Sequence, residues 1–114
     1  MKLINLKTKL ELANQIGQAN TFFTRLKGLM FSSELPSGCA LHIMPCQSVH
    51  TYFMNYNIDV LFMDDNQKVV GIVESMQPRK VTKVYRKAKS VIELPEGTVA
   101  STGLKVGDVL SFEV

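Results

Sequence analysis

Apolar residues in this chain fall into short runs, each cut off by turn-forming residues before a long helix could form. The clearest is Ile58-Asp-Val-Leu-Phe-Met63, followed by Asp64-Asp-Asn-Gln67 and a second run that reaches Met76. Asp and Asn bond their own backbone and tolerate left-handed conformations, so 58–63 and 68–75 are expected to form a hairpin. Segments 2–6 and 9–16 read as a second hairpin, and 39–44, 48–54, 81–86, 90–94 and 108–114 as further strands. Short strands spaced this closely predict a mainly β fold, a β-sandwich or barrel-like sheet and not a βαβ fold. At 114 residues and 46% apolar content, a single domain over 1–114 with one core is expected.

Two segments break the pattern. Asn20 or Thr21 can cap a helix, and Phe22, Leu26, Leu29 and Met30 follow at helical spacing, which predicts one short helix near 21–31. Pro95 stops the strand before it, and a helical turn near 96–102 should end at Gly103 in a left-handed cap.

Charge is unevenly distributed. Arg79, Lys80, Lys83, Arg86, Lys87 and Lys89 bring six positive charges into residues 79–89 without an acid, so a net charge of +3 leaves −3 on the rest. Such a run suits an anionic partner, nucleic acid included, or else a solvated edge strand protected from aggregation. The run holds one aromatic, Tyr85, where single-strand binders interleave several. No apolar run approaches the ~20 residues that cross a bilayer, so no membrane partner is expected. The N-terminus lacks the apolar stretch of a secretory signal, and two cysteines without a C-x-x-C pattern suit reduced thiols, so a cytoplasmic location is expected.

Three ordered stretches resemble a small prokaryotic family, domain of unknown function 192. They are Thr21-Phe-Phe-Thr-Arg25-Leu-Lys-Gly28-Leu-Met30, Phe53-Met-Asn-Tyr-Asn-Ile-Asp59-Val-Leu-Phe62, and Ala88 with Ile92-Glu-Leu-Pro-Glu-Gly97 and Gly107-Asp108. The resemblance implies a mostly β, sandwich-type fold in a protein of bacterial source, and it supplies no activity. Many members read Trp-Met-Lys-Asn-Thr where this chain has Phe53-Met-Asn-Tyr-Asn57, so no role of that Lys or Thr carries over. Members also often carry an export signal, which this sequence does not show.

Polar residues inside apolar strands mark either a network or a site, because burying them unpartnered is costly. As a strand, 46–54 would put Cys46, Ser48, His50, Tyr52 and Met54 on one face. With His42 and Met44 these offer a soft ligand set, and His42, Cys46 and His50 are the candidate metal donors. Their spacing matches no zinc pattern, and Cys46 and His50 would lie ~13 Å apart on a straight strand, so no metal or other cofactor is expected. A Cys–His nucleophile pair would need an activated thiol, and no activating helix N-terminus precedes either cysteine. Arg25, Asp59 and Glu93 form a third set. Arg25 could pair with a carboxylate and pin helix to sheet, or could bind a small anion beside His50.

No phosphate loop, nucleophile elbow or H-E-x-x-H motif is present. The sequence therefore points to a non-catalytic small-ligand-binding or accessory module with a polar pocket formed by Arg25, His50, Asn55, Asn57 and Asp59. Its alternatives are an anion- or nucleic-acid-binding protein acting through residues 79–89, and a Cys–His or metal-dependent hydrolase.

Overall fold

Ile58–Met63 is buried at every residue, as a strand must be when both faces of its sheet are covered. The computed structural model describes residues 1–114. In chain order the elements are β1 (Lys2–Asn5), β2 (Glu11–Ala13), β3 (Gln15–Ala19), α1 (Phe22–Lys27), β4 (Cys39–Ile43), β5 (Ile58–Met63), β6 (Val69–Met76), β7 (Ser90–Pro95), α2 (Thr98–Thr102) and β8 (Leu110–Glu113). They form a three-stranded sheet, β2-β1-β8, and a five-stranded sheet, β3-β4-β7-β5-β6. The mainly β, sandwich-type expectation holds, and no barrel closes.

Both predicted hairpins form, β1 with β2 and β5 with β6. The segment 9–16 is nevertheless split. At Asn14 the chain leaves the small sheet, and the amides of Asn14 and Gln15 both donate to the Gly38 carbonyl. β3 then joins the large sheet parallel to β4, with α1 in the connection. This one parallel pair departs from the all-hairpin reading.

Two apolar clusters lie on opposite faces of the large sheet. Leu61, Met63, Ile92 and Leu94 face the small sheet and pack with Leu3, Leu110 and Val99 of α2. Ile58, Val60, Phe62 and Val91 face the other way, beneath Val49, Met54 and Ala88. That second face is covered by irregular chain, and here the expected strands 48–54 and 81–86 do not form. The two segments run side by side through a single bridge, His50 to Val81. Main-chain bonds, such as those from the Thr51 amide to the Lys80 carbonyl and from the Thr82 amide to the Val49 carbonyl, join them without a continuous ladder. Hydroxyls fill in: Thr51 Oγ1 donates to the Gln77 carbonyl and accepts from the Lys80 amide, while Thr82 Oγ1 accepts from the Val49 amide. Ser and Thr compete with regular pairing in this way. The Tyr85 ring stacks on Phe62 at 3.9 Å. It lies so close over Gly71 that an added Cβ would stand 2.3 Å from it, which explains the glycine in β6.

Helix α1 is shorter than predicted. Thr21 caps it in a capping box with Thr24, and Gly28 ends it at φ +49°, a conformation that favours glycine. None of its residues is buried, and Phe22 and Leu26 lie exposed. The helical spacing of apolar residues thus did not mark a core-facing stripe. The second helix matches expectation, with Gly103 left-handed at its C-cap.

Asp59 is 1% exposed and faces the sandwich core. Opposite it, β6 bulges between the partners of Ile58 and Val60, and the Ser75 amide freed there donates to Asp59 Oδ1 at 2.9 Å. Its Oδ2 accepts the Val99 amide at 2.9 Å. The N-cap of α2 is Gly97, which has no side chain to offer, so Asp59 supplies the cap from across the sheet. Asp59→Ala should therefore lose about 3 kcal/mol in denaturant unfolding, because two amides, a buried one at Val99 and a partly buried one at Ser75, lose their acceptor. A loss below about 0.5 kcal/mol, the level typical of surface sites, would refute this role.

Candidate functional site

The register of β5 and β7 places the two strand carboxylates. Asp59 pairs with Leu94 and Val60 with Glu93, so Asp59 and Glu93 lie on opposite faces of one sheet. Glu93 is 2% exposed and its Oε1 is buried without a hydrogen-bond partner. Burial pushes its carboxyl from an ordinary 4.5 to about 8, so it is protonated at neutral pH. The helix end passes over it, and a Cβ at Gly28 would stand 3.7 Å from Oε1.

Above this acid lies a chamber of about 50 Å³ walled by Arg25, Gly28, Cys46, Ser48, His50 and Glu93, among others. It adjoins an outer cleft of about 580 Å³ that shares Arg25, Cys46, Ser48 and His50 and adds Phe22, Leu26, Pro45, Ala88 and Lys89. Arg25 is fixed in place: Nε donates to the Thr21 carbonyl at 3.3 Å and Nη1 to the Pro45 carbonyl at 3.1 Å. The expected ion pair with Asp59 or Glu93 does not form, since the one salt bridge in the structure joins Lys2 and Glu11. Main-chain carbonyls take its place.

The predicted pocket residues divide. Arg25 and His50 line both chamber and cleft, whereas Asp59 is spent on α2 and the bulge. Asn57 donates to Glu96 and Asn55 is exposed; neither reaches the cavity. Sequence reasoning left Ser48, Lys89 and, above all, Glu93 out of the pocket. A lone Glu in the apolar run Val-Ile-Glu-Leu was the available signal, but the face it takes depends on strand register.

The candidate metal donors do not converge. Cys46 and His50 share the chamber, but His42 pairs with Ile92 and so lies on the sandwich face. It contacts Phe112 at 4.9 Å and its Nδ1 meets Gln18 at 3.1 Å, and burial lowers its pKa. No group of three His, Cys, Asp or Glu is placed to hold a metal ion. Nor do Cys46 and His50 form a nucleophile pair. The thiol donates to the Ser48 carbonyl at 3.1 Å, and His50 Nδ1 accepts the Tyr52 amide at 3.1 Å. Burial pushes the Cys46 thiol up, which disfavours the reactive thiolate.

The six basic residues of 79–89 are all exposed and none forms an ion pair. Tyr85, the only aromatic among them, is occupied by Phe62 and by Lys83, whose Nζ lies 5.0 Å from its ring centre. No helix is long and apolar enough to cross a membrane.

The family model for DUF192, described as Uncharacterized ACR, matches residues 4–112. A UPF0127 protein of Pyrococcus furiosus is 30% identical over 96% of this chain and 97% of its own length. One from Thermococcus sibiricus is 32% identical over 84% of the chain, which spans 64% of that relative. Among solved structures, a candidate transcription regulator from Sinorhizobium meliloti superposes with a TM-score of 0.82 at 20% identity, covering 96% of this chain and 89% of that one. A protein of unknown function from Novosphingobium aromaticivorans gives 0.78 at 18%, covering 98% and 93%. These two establish the fold alone. The UPF0127 relatives are archaeal, which counts against the expected bacterial source.

The buried acid makes stability depend on pH with a definite sign. Between about 4.5 and 8 the unfolded chain releases a proton that folded Glu93 retains, so this group's contribution falls as pH rises through that window. Glu93→Gln, neutral throughout, should gain a few kcal/mol on the wild type between pH 5 and 8 in urea unfolding. Parallel profiles for the two proteins would show that Glu93 is not held protonated.

Proposed function

Since the chain belongs to the DUF192 family, whose name carries no activity, we propose from its own geometry that it is a non-catalytic small-ligand-binding or accessory module. One observation carries the reading: a buried carboxyl oxygen without a partner sits at the base of a two-part cavity. An unsatisfied buried polar group asks for an explanation, and a bound ligand or water at the site supplies one. The cleft has the size of ordinary small-molecule sites, and it sets Phe22 and Leu26 beside Arg25, Gln47, Ser48 and Lys89. The unactivated thiol and the occupied His50 nitrogen favour binding over covalent chemistry.

Amide-detected NMR titration with a panel of small polar compounds tests this. Shifts for any compound that binds should cluster at Arg25, Cys46, Ser48 and His50, and should vanish in Ser48→Trp, whose indole fills the outer cleft. Shifts that scatter over the surface, or that persist in this variant, would overturn the assignment.

A second reading rests on the six exposed, unpaired cations of 79–89. With Tyr85 occupied, it is a phosphate-binding surface without base stacking. Fluorescence anisotropy with single-stranded DNA should then show log K falling with log salt by roughly 0.7 per phosphate contact. The slope should shrink in Lys83→Glu/Arg86→Glu, and no binding at low salt would remove the reading.

A further inference from the structure

The same cavity carries information about the class of its ligand. Among the residues lining chamber and cleft, Arg25, Lys27 and Lys89 are cationic and Glu93 is the only acid. A carboxyl without a partner, buried and neutral, can donate its O–H to an anion. Arg25 is held at Nε and Nη1 by two carbonyls, which leaves its Nη2 donors uncommitted and the guanidinium oriented in advance. The chamber, at about 50 Å³, exceeds the roughly 30 Å³ of one water and suits a head group of a few atoms. The outer cleft adds apolar residues, Phe22, Leu26, Pro45 and Ala88, alongside Gln47 and Lys89. Phe22 and Leu26 are 65% and 57% exposed, as residues that lack a covering group would be.

Resting on the ligand-binding reading, we propose that the cavity takes a small amphiphilic monocarboxylate, its carboxylate between the Glu93 carboxyl and the Arg25 guanidinium and its apolar tail against Phe22 and Leu26. A bound anion in a desolvated chamber needs both a counter-charge and hydrogen bonds, and these two side chains provide one each. A cationic ligand would meet Arg25, Lys27 and Lys89 with Glu93 as the only acid. No covalent step is involved.

The groups facing Glu93 set the pH response. Arg25 and Lys27 approach from α1 and its end, Cys46 and His50 from the covering segment, and the neighbours across the sheet are Leu41 and Val60. Tyr56 also lies within electrostatic range. Above about 8 Glu93 ionises and opposes a second negative charge, while burial keeps Cys46 and Tyr56 protonated to higher pH than usual.

The test compares hexanoate, hexanamide and acetate by NMR titration of the whole chain. Hexanoate should bind in the millimolar range expected of so small a ligand, with shifts at Arg25 and His50. It should bind about tenfold more tightly than hexanamide, the worth of a charge-assisted hydrogen bond. Acetate should be weaker for want of a tail. From about pH 7 to 9.5 the wild type should lose about tenfold in hexanoate affinity, whereas Glu93→Gln, an N–H donor at any pH, should keep it. Arg25→Met should lose about tenfold at pH 7 with an unchanged circular dichroism spectrum. Equal binding of hexanoate and hexanamide at the cavity would overturn the carboxylate assignment and leave the ligand-binding reading standing. Affinity independent of pH in the wild type would overturn the role of Glu93. The absence of shifts at the cavity with all three probes would overturn this proposal, while a different compound shifting the same amides would still uphold the pocket.

Discussion

Two amides, those of Ser75 and Val99, converge on the Asp59 carboxylate, and the architecture depends on that convergence. One fixes the bulge in β6 and the other fixes α2 on the sandwich core. Because side chains alternate along a strand, committing Asp59 to the core face commits Ile58, Val60 and Phe62 to the other. Register then carries the choice to β7, where Val60 stands beside Glu93. A slip of β5 by one residue would turn Asp59 to the outer face beside Glu93 and leave the Ser75 and Val99 amides without their acceptor. The position of the candidate site is thus a consequence of where the fold spends its other buried acid.

The outer face of the large sheet explains why a cavity exists there. A second sheet would have packed flat on Val60 and Phe62. Irregular chain, tied by the hydroxyls of Thr51 and Thr82 and by the Gln47 side chain reaching the Arg86 carbonyl, leaves gaps that side chains do not fill. The stacked pair Tyr85 and Phe62 anchors this cover at one end. Arg25, held to Pro45, ties α1 to the start of the same cover. The opening lies near that second tie.

Much of the fold was legible because its strands obey local rules. The turn at Asp64, the stop at Pro95 and the cap at Gly103 each announce themselves by residue type. The segments around Thr51 and Thr82 misled because β-branched residues raise strand propensity even where side-chain hydroxyls share the backbone partners and interrupt the regular ladder. Helix α1 misled in the opposite sense. Phe22 and Leu26 have the spacing of a buried stripe but lie exposed beside the cleft. Of the pocket residues, His50 was found because it is polar in apolar surroundings, and Arg25 because it lies in a stretch that carries the family resemblance. Asp59 was grouped with them by the first of these signals, and Glu93 was read as an ion-pair partner, because alternation alone does not reveal which strands are neighbours or in what register.

Buried acids in this protein follow two different logics, and the contrast bears on function. Asp59 and Asp108 are hydrogen-bonded by the amides and side chains around them: Asp108 Oδ2 accepts from the Lys105 amide and from Asn5, which holds its carboxyl below the usual range. Each offsets its own desolvation by ordering a turn or a helix. Glu93 orders nothing. Its Oε1 has no partner, its neighbours Leu41 and Val60 offer none, and burial favours its protonated form. A hydrophobic residue of similar volume there would be expected to stabilise the protein, as replacing buried charged groups by well-packed apolar ones often does. The carboxyl therefore has no explanation in the stability of the free chain. An incoming ligand that accepts its O–H provides one, and Arg25, fixed at the same chamber, indicates the charge that ligand brings.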